Sequence, residues 1–378
     1  MLNLQSVEEA IRRATQRPEL DETALLLWLR REFSPEIASQ AVQQIRLRQR
    51  AKRKFSRAEQ MWFTPEGLEQ SSSESVALYH ASRFPQGVLV MDAGCGIGGD
   101  LIALAGRGET AGVERDALCI RFAQRNVQVY GVDSRCSLIH ADVLHLRLEK
   151  APFLFLDPAR RTGGRRSSSP EDWQPDWATV CGLAKSVRGA LVKTTPTLHL
   201  SFIPPDSERE YLSVDGECRE LLLALGECRQ GIPHSALVLP EGTRLRATGI
   251  PDPPVHSPME WIYDPDPAVV AAHLLPELAE MLDACLLHPR IAYLTSNRHV
   301  ATPFARAYRW IEHFPYSRKR LFERLRALRA GPITVKKRGV DISPEQLVRQ
   351  WKPAGDRAVT VLLYRTDSEV VAILAQNT

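Results

Sequence analysis

The sequence lacks the features that mark membrane and secreted proteins. No apolar run among its 378 residues approaches the roughly 18–20 residues that a membrane-spanning helix requires. The first residues, MLNLQSVEEAIRRATQR, contain no apolar stretch leading to a cleavage site, so a signal peptide is not predicted. We therefore expect a cytoplasmic protein that has no membrane partner.

Cysteine and histidine are also sparse and irregularly spaced. The seven cysteines include no C-x-x-C pair, and their odd number and scatter argue against a disulfide framework and a zinc site. We expect them to be structural thiols in a reducing compartment. The ten histidines show neither HxxxH nor HExxH spacing, so the sequence predicts no metal site.

Charge of one sign barely exceeds the other, since the net charge is only +4. This balance does not identify a nucleic-acid-binding protein, but basic residues concentrate in segments 46–57 and 318–338. Such clusters suit the phosphate backbone of a nucleic acid. They are equally typical of solvated faces, and the sequence leaves both interpretations open.

The chain changes character along its length. Residues 1–80 show apolar residues at helical spacing. From residue 88, short apolar runs alternate with helix-like stretches, which is typical of βαβ units and a parallel sheet. The runs that predict strands are 88–91, 110–113, 136–139, 152–156 and 190–193. After a Pro-rich passage at 250–258, a mixed pattern predicts a small α+β domain whose first helix covers Pro267–Ala284.

A glycine-rich loop follows the first predicted strand. Asp92 ends this strand, and glycines follow at 94, 96 and 98. Glycines allow a tight turn and let a ligand approach the backbone N–H groups. Nicotinamide enzymes use a similar turn for pyrophosphate. Here, however, a carboxylate precedes the glycines, which disfavours pyrophosphate and suits the cationic methionyl group of S-adenosylmethionine.

Further acidic residues follow the next predicted strands. Glu114 lies twenty-two residues after Asp92, a placement suited to the ribose hydroxyls, and Asp142 is placed to hold the adenine amino group. Asp157 follows the fourth strand. Because ligands of open α/β sheets bind outside the carboxyl ends of the strands, four such acids indicate one cofactor crevice. The alternatives are helix-capping acids and a nicotinamide site.

These motifs carry a family resemblance. DAGCGIGGD at 92–100, GVERD at 112–116 and HADV at 140–143 resemble class I S-adenosylmethionine-dependent methyltransferases, with local similarity to trimethylguanosine synthases and related RNA-modifying enzymes. The whole chain is similar to a bacterial methyltransferase family with a THUMP-like C-terminal domain. The positions that carry this second resemblance are Met61–Gln70, Leu156–Arg161 and Thr334–Gly339.

The resemblance implies an α/β fold with three parts. These are an N-terminal helical region at 1–80, a Rossmann-like class I methyltransferase domain at 81–262 and a small α+β THUMP-like domain at 263–378. The implied cofactor is S-adenosyl-L-methionine. The residues expected to bind it are Asp92, Gly94, Cys95, Gly96, Gly98, Glu114, Arg115, Asp142 and Val143.

The acceptor side of the site departs from the familiar pattern. Amino-directed methyltransferases often carry [DNS]PP[YFW] after the fourth strand, whereas this chain has Asp157, Pro158, Ala159 and Arg160. We expect Asp157, Pro158 and Arg160 to be catalytic, with Asp157 accepting a hydrogen bond from a target amine. The arginine would stack on a base or hold a phosphate, or else close the loop through an ion pair. Whether Arg161 and Lys193 are catalytic or structural stays open.

THUMP domains are associated with tRNA binding, so the resemblance implies a structured RNA substrate, either tRNA or rRNA. The basic segments 46–57 and 318–338 would then contact its phosphates. Two other functions stay open: a methyltransferase that acts on a protein or small molecule, and a non-catalytic RNA-binding protein with a vestigial cofactor pocket. The sequence does not identify the methylated atom.

Overall fold

A computed structural model describes most of the chain, namely residues 3–146, 153–159, 161–162, 165–166 and 169–377. The chain divides into two compact units. The first contains the described residues up to Thr194, with Leu200–Ser207 and Leu223–Gln230, and the second contains Thr195–His199, Glu208–Leu222 and the described residues from Gly231 onward. No helix in the described part is long and apolar enough to span a bilayer.

The first unit begins with a helical region, as predicted. Its helices are Leu4–Ala14 (α1), Glu22–Leu29 (α2), Pro35–Ala51 (α3), Pro65–Gln70 (α4) and Glu74–Ser82 (α5). Local sequence explains where α3 starts: Ser34 accepts a hydrogen bond from the Ile37 backbone N–H, and proline occupies the first helical position, where no N–H is needed.

A parallel sheet forms the centre of the first unit. Its strands are Val90–Ala93 (β1), Thr110–Glu114 (β2), Cys136–His140 (β3), Phe153–Leu156 (β4) and, later in the chain, Gly189–Thr194 (β7). They are ordered β7-β4-β1-β2-β3 and every pair is parallel. The helices between them are Gly99–Ala105 (α6), Ala117–Tyr130 (α7) and Trp177–Lys185 (α8). The direction of winding reverses between β1 and β4, which is where such sheets bind ligands.

Two very short strands follow β4, namely Arg161–Thr162 (β5) and Arg165–Arg166 (β6), which pair with each other in antiparallel fashion. The N-terminal helices share one apolar core with the sheet's glycine loop and with α7. Leu29, Leu47 and Phe63 belong to the same cluster of buried residues as Ile97 and Phe122. The helical region is therefore built into the first unit.

Buried amides join these parts. The side chain of Asn126, on α7, is fully buried, accepts a hydrogen bond from the Trp62 N–H at 2.8 Å and donates to the carbonyls of Trp62 and Ile97 at 3.0 and 2.8 Å. Gln44 makes the same reciprocal pair of bonds with the backbone of Phe63. Backbone groups that turns leave unpaired are thus satisfied inside the core.

The second unit contains two groups of strands. Glu208–Val214 (β8) pairs in parallel with His234–Leu239 (β10), which pairs antiparallel with Thr243–Arg246 (β11). Strand Glu217–Gly226 (β9) belongs partly to each unit. The other group is a seven-stranded sheet in the order β13-β14-β12-β15-β18-β17-β16. Its strands are Trp261–Pro265 (β12), Cys285–His288 (β13), Ile291–Ser296 (β14), Ala305–Pro315 (β15), Ala330–Arg338 (β16), Arg357–Arg365 (β17) and Val370–Asn377 (β18).

Both faces of this sheet are buried. Alternate residues of β17 point to opposite faces, so Val361 and Leu363 join one core while Leu362 and Tyr364 join another. The first core is covered by helices Arg318–Ala327 (α11) and Pro344–Gln350 (α12). This part matches the predicted α+β domain.

One predicted helix is interrupted. The sequence pattern predicts a continuous helix over Pro267–Ala284, but the structure has two helices, Pro267–Ala271 (α9) and Leu275–Leu282 (α10). The backbone of His273 has a φ of +57°, which a right-handed helix does not allow. Pro276 then lies in the first turn of the second helix, where its missing N–H costs nothing.

Replacing Asn126 with Ala should destabilise the first unit. The change leaves two backbone groups of Trp62 and the carbonyl of Ile97 without their partner, and each buried unsatisfied group costs roughly 1–3 kcal/mol. We expect the free energy of unfolding to fall by about 3–5 kcal/mol in urea denaturation. Gln124→Ala, at an exposed position of the same helix, is the control. An equal loss in both variants would contradict the assigned role of Asn126.

Candidate cofactor and active site

The glycine loop leaves the carboxyl end of β1 in left-handed conformations. Gly94, Gly96 and Gly98 have φ values of +88°, +53° and +89°, which strongly favour glycine. A Cβ atom at Gly94 or Gly96 would meet no described atom within 4 Å, whereas one at Gly98 would touch the Ala123 backbone at 3.4 Å. The first two glycines therefore face open space, and the third allows close packing against α7.

Asp92 lies directly before this loop, and its side chain is buried. Its Oδ2 atom has no hydrogen-bond partner among the described residues. Burial raises the pKa of this carboxyl well above its ordinary value, and the charges of Asp100, Asp157 and Glu114 raise it further, while Lys193 opposes them. An orphaned buried carboxylate oxygen indicates a ligand that brings its own cation or hydrogen-bond donor.

Glu114 ends β2 and holds the loop from the other side. One carboxylate oxygen accepts the Gly96 N–H at 2.9 Å, and the other accepts the Asp116 N–H at 2.8 Å. Each oxygen has a second lone pair that can accept another bond. Glu114 thus fixes the loop and keeps acceptor capacity at the edge of the crevice, as a ribose-binding residue requires.

The remaining predicted cofactor residues lie along the same edge of the sheet. Asp142 follows β3, and its Oδ1 accepts the Leu144 N–H at 3.0 Å, while Val143 is half-buried. The exposed Arg115 donates to Gln174 Oε1 at 3.1 Å. Cys95 is buried inside the loop, and burial raises the pKa of its thiol well above the ordinary range, so it is not a thiolate nucleophile.

The acceptor side is built on the end of β4. Leu156 lies opposite Val192 in the register of β4 and β7, so Asp157 and Lys193 are the next pair along the two strands. Lys193 Nζ contacts Asp157 Oδ2 at 2.7 Å, and the Asp157 side chain is 27% exposed. Asp157 therefore lies at the mouth of the crevice with one oxygen held.

The residues after Asp157 are only partly described. Pro158 is buried, and Ala159 exchanges two backbone hydrogen bonds of 3.0 Å with Gln174. Because Arg115 also donates to Gln174, the chain after β4 is tied to the chain after β2. Arg160 lies outside the described residues, and the side chain of Arg161 is likewise not described.

Three further polar residues reach the site from parts of the chain in which the sequence pattern predicts only helices. Ser72 Oγ donates to Asp100 Oδ2 at 2.9 Å, and His80 Nδ1 lies 2.7 Å from Asp100 Oδ1. Asp100 is the last residue of the DAGCGIGGD motif, so the sequence offered a reason to include it among the site residues. Ser72 and His80 precede β1 and carry no motif, so only the folded chain identifies them.

The surroundings of Asp100 favour its ionised form despite its burial. Burial raises the pKa of this carboxyl, but the hydrogen bond and charge of His80, the charge of Lys193 and the hydrogen bond from Ser72 more than offset it, and the pKa lies below its ordinary value. This direction agrees with an Nδ1–H of the imidazole donating to the Asp100 carboxylate. A fixed polar network thus lies beneath the glycine loop.

The basic segment 46–57 has partly structural roles. The buried Arg48 pairs with Glu8 at 2.9 Å and lies over the Trp62 ring. Lys54 Nζ donates to the carbonyls of Leu68, Glu69 and Ser71, capping α4. Arg57 donates to the Val129 carbonyl at 2.6 Å. These three cations maintain the fold.

Other cations are exposed. Arg50 and Arg53 are exposed and form no ion pair with any residue that the structure describes. In the second segment, Arg324 pairs with Glu312 and Arg338 with Asp264, whereas Lys319, Arg326 and Arg329 are exposed without an ion pair to the described residues. Only the unpaired cations of each segment offer their full charge to a polyanion.

Comparisons with known proteins agree with this geometry. Residues 87–183 match the family model described as RNA cap guanine-N2 methyltransferase, and residues 305–377 match the one described as THUMP domain-like. The chain is 32% identical over 311 residues to an uncharacterized S-adenosylmethionine-dependent methyltransferase of Mycobacterium tuberculosis, found in strains CDC 1551 and H37Rv. That alignment covers 81% of this chain and 85% of the relative.

A solved structure has the same fold. The crystal structure described as "putative methyltransferase from Porphyromonas gingivalis W83" superposes with a TM-score of 0.83, at 22% identity, and the match covers 100% of both chains. The sheet order and glycine loop define a class I methyltransferase domain, which is joined to a THUMP-like domain. The chain belongs to the family of S-adenosylmethionine-dependent methyltransferases, and the predicted cofactor is confirmed.

The residues present fit this cofactor. The orphaned Asp92 oxygen offers an acceptor to a cationic methionyl group, and the open space beside Gly94 and Gly96 admits a ligand against the backbone. Glu114 retains acceptor capacity at the end of β2. The part that each residue plays in binding stays a prediction.

Asp92→Asn should change stability and binding in opposite directions. Because the folded-state pKa of Asp92 is raised, its contribution favours the folded state at low pH and is lost as pH rises through that pKa. The variant removes a buried charge, so we expect the ligand-free protein to melt at a higher temperature at alkaline pH. We expect S-adenosylmethionine to bind about 30-fold or more weakly, since losing one partner of a buried charge pair costs roughly 2–5 kcal/mol.

Calorimetric titration and thermal melting over a range of pH measure both effects. Wild-type affinity should fall as pH drops through the raised pKa, and the variant should lose this dependence. Asp133→Asn, at an exposed position, is the control. Unchanged affinity in Asp92→Asn would show that Asp92 does not contact the cofactor.

Proposed function

We propose that this chain transfers a methyl group from S-adenosylmethionine to a nucleotide of structured RNA, either tRNA or rRNA. The observation that carries the proposal is that one chain matches two family models that both suggest an RNA substrate. These are RNA cap guanine-N2 methyltransferase at 87–183 and THUMP domain-like at 305–377. A catalytic domain and a candidate RNA-binding domain thus occur together.

We assign the cofactor residues as follows. Asp92 would hold the methionyl amine, Glu114 the ribose hydroxyls and Asp142 the adenine amino group, while the glycine loop lies against the ligand. When bound, S-adenosylmethionine supplies an electrophilic methyl group on a sulfonium. The carboxylates also favour its positive charge over an anionic dinucleotide.

On the acceptor side, Asp157 would accept a hydrogen bond from the target group and orient it. Pro158 fixes the backbone of the loop after β4, and Arg160 is proposed to contact a base or a phosphate. Methyl transfer mainly needs the acceptor aligned in a near-attack geometry. An amine acceptor can release its proton after transfer, so the site does not require a strong general base.

Incubation with labelled S-adenosylmethionine and RNA tests the proposal. RNA from a strain that lacks this gene should acquire label in one modified nucleoside, identified by nucleoside analysis. Asp157→Ala should abolish transfer and leave calorimetric binding of S-adenosylhomocysteine unchanged, because Asp157 lies on the acceptor side. Asp133→Ala, at an exposed position that precedes β3, serves as the control. Label recovered only in protein or in small molecules would overturn the RNA assignment.

The unpaired cations of the first basic segment should contribute to RNA affinity. In the double variant Arg50→Ala/Arg53→Ala, the plot of log Kobs against the logarithm of the salt concentration should become shallower. The magnitude of its negative slope should decrease by about 1.4–1.8, since each neutralised phosphate contributes roughly 0.7–0.9. Arg107→Ala, at an exposed position of the same unit, should leave the slope unchanged. Gel shifts over a salt series provide the measurement, and an unaltered slope in the double variant would remove this segment from the RNA-binding surface.

A further inference from the structure

Lys193 is a buried cation at the end of β7. It is 8% exposed, and its Nζ contacts Asp157 Oδ2 at 2.7 Å and Ser72 Oγ at 3.1 Å. Burying an ammonium is costly unless nearby groups compensate for its lost hydration. The groups around Lys193 therefore have to compensate for the cost of its burial.

The hydrogen bonds around Lys193 have a defined direction. Its N–H donates to the Ser72 hydroxyl, whose own proton goes to Asp100, and Asp100 also accepts from His80. His80 is fully buried and its ring lies 5.1 Å from that of Phe155 on β4. Every link of this network is inside the first unit, and the ammonium is held by Ser72 as well as by Asp157.

The two carboxylates proposed to lie nearest the reaction, those of Asp92 and Asp157, differ in their protein partners. Asp92 Oδ2 has no partner among the described residues, whereas Asp157 Oδ2 is paired with Lys193. Lys193 is also among the charges that lower the pKa of Asp92 and of Asp100. One ammonium thus stabilises several acids, but it makes a direct hydrogen bond to Asp157.

We propose that Lys193 is a positioning residue that acts through Asp157. Its ammonium holds Oδ2, so the carboxylate keeps one orientation and Oδ1 is left to accept a hydrogen bond from the methyl acceptor. A side chain with two rotatable bonds at the crevice mouth otherwise samples several rotamers. This inference rests on the proposed role of Asp157 and deepens it, and it answers for Lys193 the question that the sequence leaves open.

Loss of the Lys193 ammonium should lower the rate of methyl transfer more than it lowers the affinity for the cofactor. A displaced reacting group costs up to roughly a hundredfold in rate, because alignment supplies much of the catalysis. Removal of the ammonium also has two opposing effects on a cationic ligand: the site becomes more negative, and the Asp92 carboxyl becomes easier to protonate. We therefore expect only a small net change in cofactor binding.

The test compares Lys193→Met, Lys193→Arg and Lys185→Met. Lys185 is an exposed lysine of α8 in the same unit and provides the matched control. The assay uses labelled S-adenosylmethionine and an extract of cells that lack the gene, so that transfer is measured on whatever acceptor becomes labelled. Calorimetric binding of S-adenosylhomocysteine checks folding and cofactor affinity in each variant.

We expect kcat to fall by about 10- to 100-fold in Lys193→Met, with the dissociation constant for S-adenosylhomocysteine changed by less than about threefold. Lys193→Arg should recover part of the loss, because it keeps a cation beside Asp157. In an Asp157→Asn background, Lys193→Met should cost less than about twofold more, since both changes remove one interaction.

Three results would overturn the proposal: wild-type kcat in Lys193→Met, equal loss of kcat and of cofactor affinity, or effects that multiply in the double variant. If Lys193→Met fails to fold, Lys193→Arg is compared alone and in the Asp157→Asn background. Effects of the two substitutions that multiply would again overturn the proposal. Failure of the proposed function gives a different result: the label would appear in protein or small molecules instead of RNA. The rates of the Lys193 variants could still be compared on that labelled acceptor.

Discussion

The buried carboxylate of Asp92 is the interaction on which the rest of the site depends. An acid at the end of a central strand, with one oxygen unpartnered among the described residues, is unfavourable in the ligand-free protein. The protein accepts this cost at the point where we propose that the cofactor binds. The neighbouring acids, in contrast, have partners. Glu114 accepts two backbone N–H groups, Lys193 pairs with Asp157, and His80 contacts Asp100.

The N-terminal helical region belongs to the same arrangement. Asn126 joins the turn before α4 to the glycine loop, and a Cβ at Gly67 would lie 2.7 Å from the Ile97 side chain. Ser72 and His80 then supply polar contacts to Asp100. A loop with three left-handed glycines has high conformational freedom in the unfolded chain. Packing by this region, as much as by the sheet, therefore gives the loop one conformation.

Sequence patterns predict the strands and their acids well, because strand ends in a parallel sheet occupy one edge whatever the side-chain details. The positions of Asp92, Glu114, Asp142 and Asp157 at or just after strand ends were predicted in this way, and their roles stay predictions. The contacts of Ser72 and His80 with Asp100 could not be found from the sequence. Ser72 lies in the link between α4 and α5 and His80 lies on α5, and periodicity does not show that this part of the chain packs against α6. The break at His273 was missed for a similar reason: local periodicity continues through a turn that only its backbone angle reveals.

The roles proposed for Asp92 and Asp157 differ in what must neutralise each carboxylate. In the proposed function, Asp92 faces a ligand that carries positive charge, so a protein cation bonded to it would compete with binding. Asp157 is proposed to face the methyl acceptor, and a neutral amine or hydroxyl does not neutralise a carboxylate. Lys193 supplies a protein cation to this second carboxylate, with its Nζ 2.7 Å from Asp157 Oδ2. The same sheet edge can hold both acids because adjacent strands β4 and β7 place the lysine beside the second acid, while the first, on β1, is left for the cofactor.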